Sequence, residues 1–303
     1  SADPNGNEAG VNFTYQPDSF ASVSHDGRFV AFQTTNSFLP GDGWNNELDD
    51  VFVRDRVAGV TTPVSIMPNG RILDDFAEQP IISPDGSAVC YYGSPLALKR
   101  PPYNPPQIVF DRTVGRFGAS EGVFAPYGYE TYGRQCSFSF DGRVLSYMVA
   151  SDESPGGGGF DQVYVWDRDS QSGERISRAT DGEPANDGSS YSTAISADGR
   201  FVAFDSLATN LVAGDTNDSA DIFVHDRWTG ITERVSVNSH GEQGDRTSEK
   251  PWLSADGRFV AFRSGATNLV PGDTNGQTDI FVRDRLLGTL ERVSVLNDGS
   301  QAT

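Results

Sequence analysis

Ser254-Ala255-Asp256-Gly257-Arg258-Phe259-Val260-Ala261-Phe262 is the stretch that decides the fold. Its Asp-Gly pair signals a tight hairpin turn, because glycine enters the left-handed region without a Cβ clash and the aspartate side chain bonds the backbone two residues on. The segment after the turn is apolar on both faces, as a strand buried between two layers must be. The tract recurs as Ser196 to Phe204 and Ser24 to Phe32, and more weakly as Ser139 to Tyr147 and Ser83 to Tyr91. The Asp-Gly pairs start at Asp26, Asp85, Asp141, Asp198 and Asp256, giving spacings of 59, 56, 57 and 58 residues. Self-similarity at a fixed period marks a repeat architecture.

Outward from each tract lies a second signature: Asp279-Ile280-Phe281-Val282-Arg283-Asp284-Arg285, Asp221 to Arg227, Asp50 to Arg56, and the degenerate Gln162 to Arg168 and Gln107 to Arg112. A third apolar alternation closes each unit, as in Glu291-Arg292-Val293-Ser294-Val295 and Glu233 to Val237. Each unit therefore reads as four short strands: A (Pro251 to Ser254 in the last unit), B (Arg258 to Phe262), C (Ile280 to Arg283) and a D strand after the Asp284 to Gly288 turn. A unit of this size cannot bury both its faces alone, and radial stacking is how antiparallel repeats protect their edges.

The fold expected is thus all-β, a propeller of four-stranded antiparallel blades in one domain spanning 1–303, with repeats at roughly 16–66, 77–120, 133–180, 191–237 and 249–295. Five repeats give five blades if the chain is whole, and six or more if it is a fragment. The Asp-Gly-Arg hairpin with its apolar strand, followed by Asp-Ile-Phe-Val-x-Asp-Arg, resembles the PD40, WD40-like repeats of TolB-type propellers over nearly the whole chain. The resemblance implies a secreted or periplasmic bacterial protein, with roles ranging from protein docking to carbohydrate-linked and peptidase-linked modules. TolB-like propellers commonly have six blades.

Composition narrows the function. A net charge of -19, from 42 acidic and 23 basic residues, excludes nucleic acid as partner, because phosphate contacts need a basic surface. No run of about 18 apolar residues is present, so no transmembrane segment is expected. Cys90 and Cys136 are the only cysteines, and no Cys-x-x-Cys or Cys/His cluster suggests haem or structural zinc. Two readings of them stand at this point: small buried residues, or a disulfide. The Ser1-Ala2-Asp3 start fits a mature secreted form, and the expected location is extracellular or periplasmic.

In a four-stranded meander the A-to-B and C-to-D turns share one face, and the longer B-to-C and D-to-A loops share the other. Three candidate features fall on the second. The B-to-C loops of the last two units present Asp215, Asn217 and Asp221, and Asp273, Asn275 and Asp279, at alternate positions. Alternating oxygen ligands suit calcium, whereas the plainer reading is Asx turns. The first unit keeps the acidity with Asp42 and Asp50. Next, the long loop of the second and third units carries Tyr127, Tyr129 and Tyr132, suited to sugar stacking, a protein partner, or cover for the propeller itself.

Finally, the residue seven before each Asp-Gly would line the central channel: Ser19, Glu78, Arg134, Tyr191 and Glu249. Glu78, Arg134, Tyr191 and Glu249 make a polar mouth for a ligand or a solvated rim. The expected function is a secreted binding or scaffold module for a protein or glycan partner, with calcium as the candidate cofactor. The alternative is a carbohydrate-active enzyme with Glu78 and Glu249 as its carboxylate pair.

Overall fold

The computed structural model describes residues 20–35, 49–65, 77–93, 107–111, 116–117, 136–151, 160–188 and 192–301. The chain divides into two compact units, Ser1–Ala125 with Tyr129–Gly133, and Pro126–Gly128 with Arg134–Thr303. The first unit holds two four-stranded sheets, β1 (Ala21–Val23), β2 (Phe29–Thr34), β3 (Asp50–Asp55) and β4 (Val60–Pro63), then β5 (Ala77–Ile82), β6 (Ala88–Gly93), β7 (Gln107–Asp111) and β8 (Arg116–Phe117). The second holds three: β9 (Ser137–Phe138), β10 (Val144–Ser151), β11 (Phe160–Asp167) and β12 (Ser172–Arg175); β13 (Thr193–Ile195), β14 (Phe201–Ser206), β15 (Asp221–Asp226) and β16 (Ile231–Arg234); and β17 (Ser248–Leu253), β18 (Phe259–Ser264), β19 (Asp279–Asp284) and β20 (Thr289–Arg292). Every sheet is an antiparallel meander in chain order, as the repeat predicts.

The repeated residues account for the turns. Asp256 Oδ1 accepts from Ser254 Oγ at 2.6 Å and from the Arg258 amide at 3.0 Å, and Ser254 Oγ in turn accepts from the Phe259 amide at 2.9 Å. Gly257, at φ +71°, takes the left-handed position. The same bonds recur around Asp26, Asp85, Asp141 and Asp198. The arginine after the glycine then grips the aspartate that ends strand C, as Arg28 with Asp55, Arg143 with Asp167, Arg200 with Asp226 and Arg258 with Asp284. Ser87 stands at this position in the second repeat. A second arginine, Arg56, Arg168, Arg227 or Arg285, donates back to the carbonyl of the turn glycine. Each aspartate of these pairs also receives amide hydrogens of the C-to-D turn, such as Leu286 and Leu287 on Asp284. The Asp-Gly-Arg and Asp-Arg signatures are therefore hairpin locks.

Strands B and C carry facing rings in four sheets: Phe32 with Phe52, Tyr147 with Tyr164, Phe204 with Phe223, and Phe262 with Phe281, at centroid separations of 5.8–6.1 Å. Such pairs add about 0.5–1.5 kcal/mol beyond area burial. In the second unit the cores lie between consecutive sheets. Val163, Val165 and Ile176 meet Ile195, Val202 and Phe204, while Ala194, Ile222 and Val235 meet Val260, Phe262 and Phe281.

Candidate functional site

Glu78 and Glu249 sit at matching places in β5 and β17, and the backbone treats them alike. The register slips between Glu78 and Ile81 and again between Glu249 and Trp252. The residue after each glutamate, Gln79 at φ 53° and Lys250 at φ 56°, occupies the left-handed region without being glycine, and a proline follows. A left-handed non-glycine residue costs roughly 1–2 kcal/mol, and bulges of this type re-aim a side chain. Sequence reading placed the two glutamates and missed the bulge; the Glu-x-Pro shared by the two repeats was its signal.

Around Glu249 the long-loop face opens a recess of about 370 Å³ lined by Ser219, Arg246, Thr247, Glu249, Gly265 and Thr278. The Glu249 carboxylate accepts from Arg263 Nε at 2.7 Å and is also ion-paired to Arg263 Nη2. Among the described residues Arg246 is exposed and has no side-chain hydrogen bond or ion pair. The recess is thus polar, with one committed carboxylate and one uncommitted guanidinium. In the first unit the Gln79 amide donates to Gln33 Oε1 at 2.6 Å, tying the bulge to the preceding sheet. Arg134, Tyr191, Tyr127, Tyr129, Tyr132 and Asp42 lie outside the described residues.

The B-to-C loops chosen for calcium already enclose a cation. Arg234 Nη1 lies 3.4 Å from Asp215 Oδ1 and 3.1 Å from Asp221 Oδ2, and bonds Gln243 Oε1 at 2.7 Å, while Nη2 donates to the Gly214 carbonyl at 3.1 Å. The arrangement repeats one unit later. Arg292 Nη1 lies 3.6 Å from Asp273 and 3.4 Å from Asp279, and Gln301 Nε2 donates to both carboxylates. These side chains are nearly inaccessible, from 0% for Asp221 to 10% for Arg292. Burial and the neighbouring Asp221 charge push the Asp215 carboxyl up, and burial pushes Asp221 up.

The asparagine oxygens are taken up by turn amides. Asn217 Oδ1 accepts from the Ser219 amide and Asn275 Oδ1 from the Gln277 amide, the Asx turns of the plainer reading. Asn217 Nδ2, a donor, is the atom directed at Asp221. This donor set does not fit calcium with Arg234 and Arg292 in place, since the ion would need the oxygens that the guanidinium groups hold. Among the described residues no cluster of three or more acidic, histidine or cysteine side chains is positioned to hold a metal.

The aspartate closing each loop has a second partner. Ser236 Oγ donates to Asp221 at 2.5 Å and accepts from the Ile222 amide at 3.0 Å. Ser294 does the same for Asp279, Ser65 for Asp50, and Ser177 for Gln162. This serine latch was missed in the sequence because the serine sits in an apolar alternation, although its recurrence was visible.

No family model matches the chain, and no curated protein matches it. Among solved structures, the β-propeller domain of the trilobed protease from Pyrococcus furiosus is similar at a TM-score of 0.55 and 12% identity, over 91% of this chain and 68% of that one. The fold is a β-propeller. The acylaminoacyl peptidase of Pyrococcus horikoshii gives a TM-score of 0.51 at 11% identity over 91% of this chain, and this propeller spans 38% of that protein. TolB from Acinetobacter baumannii gives 0.44 at 16% identity, over 89% of this chain and 52% of its own. Peptidase-linked propellers thus stand among the structures whose fold this chain shares.

Cys90 and Cys136 are each buried and each disulfide-bonded. No described helix is long and apolar enough to cross a membrane. Of the three histidines, His225 is fully buried in β15 with Nδ1 2.9 Å from Thr232 Oγ1 and Nε2 without a partner, and burial pulls its pKa down to about 4.

Proposed function

We propose that this chain is a binding propeller of an oxidising compartment, periplasmic or extracellular, whose protein partner docks on the rim built by the B-to-C and D-to-A loops. The observation that carries this reading is the recess at Glu249, where a strained bulge presents a carboxylate already neutralised by Arg263 beside an unpaired Arg246. In a chain of net charge -19, a lone guanidinium on a polar recess suits an acidic side chain or terminal carboxylate of a partner. The compartment is supported by the disulfide-bonded cysteines, which persist where glutathione does not reduce them. The glycosidase reading has less support, because the Glu249 carboxylate is held by Arg263 rather than free to act as acid or nucleophile.

Selection of a displayed peptide library on the immobilised protein tests the proposal. Peptides bearing carboxylates should be enriched, and Arg246→Glu should lose them while its circular dichroism stays that of the wild type. Hydrolysis of aryl glycosides by the wild type, abolished in Glu249→Gln or Glu78→Gln, would overturn it in favour of the enzyme.

A further inference from the structure

The B-to-C loops of the last two sheets make the same turn with one difference. Asn217 and Asn275 each accept through Oδ1 the amide hydrogen of the residue two places on, Ser219 at 3.1 Å and Gln277 at 2.9 Å. The residue between is Asp218 in one loop and Gly276 in the other, and both are left-handed, at φ 49° and 66°. A Cβ on Gly276 would meet nothing within 4 Å, so packing does not require a glycine there. Among the described residues Asn275 is the one asparagine followed by glycine; Asn5 and Asn69, which also precede glycine, lie outside them.

This pairing carries its own chemistry. The amide nitrogen that follows an asparagine can reach the side-chain Cγ by closing a five-membered ring. A side chain on the following residue crowds that nitrogen, and Gly276 has none, whereas Asp218 brings both a Cβ and a negative charge. The Gly276 amide has no hydrogen bond among the described residues, so its nitrogen is not held elsewhere. The Gln277 amide already points at Asn275 Oδ1, the oxygen on which negative charge grows as the nitrogen adds, and a donor fixed there stabilises the addition. Water reaches the loop. Thr274, Gly276 and Gln277 are exposed, and so are Thr216 and Asp218 in the counterpart loop, which has its following sheet in place.

We propose that Asn275 is a site of intramolecular deamidation. The Gly276 nitrogen gives up its proton and bonds Asn275 Cγ, the bond from Cγ to the side-chain nitrogen breaks, and ammonia leaves with that proton. Water then opens the succinimide at either carbonyl, giving aspartate or isoaspartate at position 275, and nothing is oxidised or reduced. The product adds a negative charge to the loop whose Asp273 and Asp279 are held by Arg292 and Gln301. In the isoaspartate form the backbone also gains a methylene between them.

Peptide mapping of the full chain, kept folded at neutral pH and sampled over weeks, tests this on the tryptic peptides 264–283 and 201–227, which hold Asn275 and Asn217. Asn275 should convert faster than Asn217 by about tenfold or more, a barrier difference of about 1.4 kcal/mol. Both aspartate and isoaspartate should appear, since direct hydrolysis of the amide yields aspartate alone. The folded protein should convert at least as fast as the free peptide 264–283, because the turn holds the Gln277 donor in place. Gly276→Asp, which copies the accepted Asp218 and should keep the wild-type circular dichroism, should slow Asn275 to the rate of Asn217. Conversion slower in the folded chain than in the peptide overturns the proposal. So does a product without isoaspartate, an Asn217 that keeps pace, or a Gly276→Asp variant that converts at the wild-type rate.

Discussion

Ser236 is a single hydroxyl that closes two bonds at the start of β15, one to the Asp221 carboxylate and one from the Ile222 amide. Both partners are buried, so Ser236→Ala leaves a carboxylate oxygen and an amide short of a partner, at a cost of about 1–3 kcal/mol. Urea unfolding should show that loss with the m value unchanged. His225 sets the acid side. Its folded pKa of about 4 lies below the ordinary 6.5, lowered by burial and by the positive charges of Arg178 and Arg227 against the opposing pull of Glu174 and Asp226. Neutral His225 therefore contributes stability that is complete above pH 6.5 and lost progressively as pH falls toward 4, because the unfolded chain takes up the proton first. Aspartates held low by arginine, such as Asp226, act in the next window down, below the ordinary carboxylate range. Thermal midpoints at intervals from pH 7 to 4 should drop for the wild type and drop less for His225→Gln. Parallel curves would remove His225 from the account.

At the scale of the element, the turn glycines divide into two kinds. Gly257 is both left-handed and pressed against Phe201, whereas Gly241, at φ +80°, has nothing within 4 Å of its would-be Cβ. Gly241→Ala should cost roughly 1–2 kcal/mol, the left-handed penalty alone. Gly257→Ala adds the overlap with Phe201 and should cost about 3 kcal/mol or more. Equal losses in parallel denaturant melts would show that the turn does not carry the packing of β13–β16 on β17–β20. The bulge in β17 runs the other way: Lys250→Gly relieves a left-handed lysine and should raise stability by roughly 1 kcal/mol.

For the whole molecule, the repeat was legible because its turns depend on local chemistry. Ser254, Asp256 and Gly257 make their hairpin with atoms at most five residues away, so the motif states its own geometry. Strands followed from the turns, with β17 extending back to Ser248 beyond the expected Pro251 because the bulge lets the strand continue past it. The loop carboxylates were misleading for the opposite reason. Asp215 and Asp221 are neighbours in sequence and suggested a local cage, but their cation, Arg234, comes from the next strand and Gln243 from the linker beyond it. The recurrence of Arg175, Arg234 and Arg292 at one place in strand D was the available clue. The recess at Glu249 was only half legible, since Arg246 and Thr247 enter it from a linker with no repeat signature.

That the acidic loops are closed by an arginine of their own repeat is the claim on which the reading of this face turns, and the thermal midpoint in excess EDTA against millimolar calcium tests it. The account predicts no shift for the wild type and, for Arg234→Met, a loss of about 3–5 kcal/mol from leaving buried carboxylates uncompensated. A rise of several degrees with calcium in the wild type, abolished in Asp215→Ala and Asp273→Ala, would contradict it and make the loops metal sites.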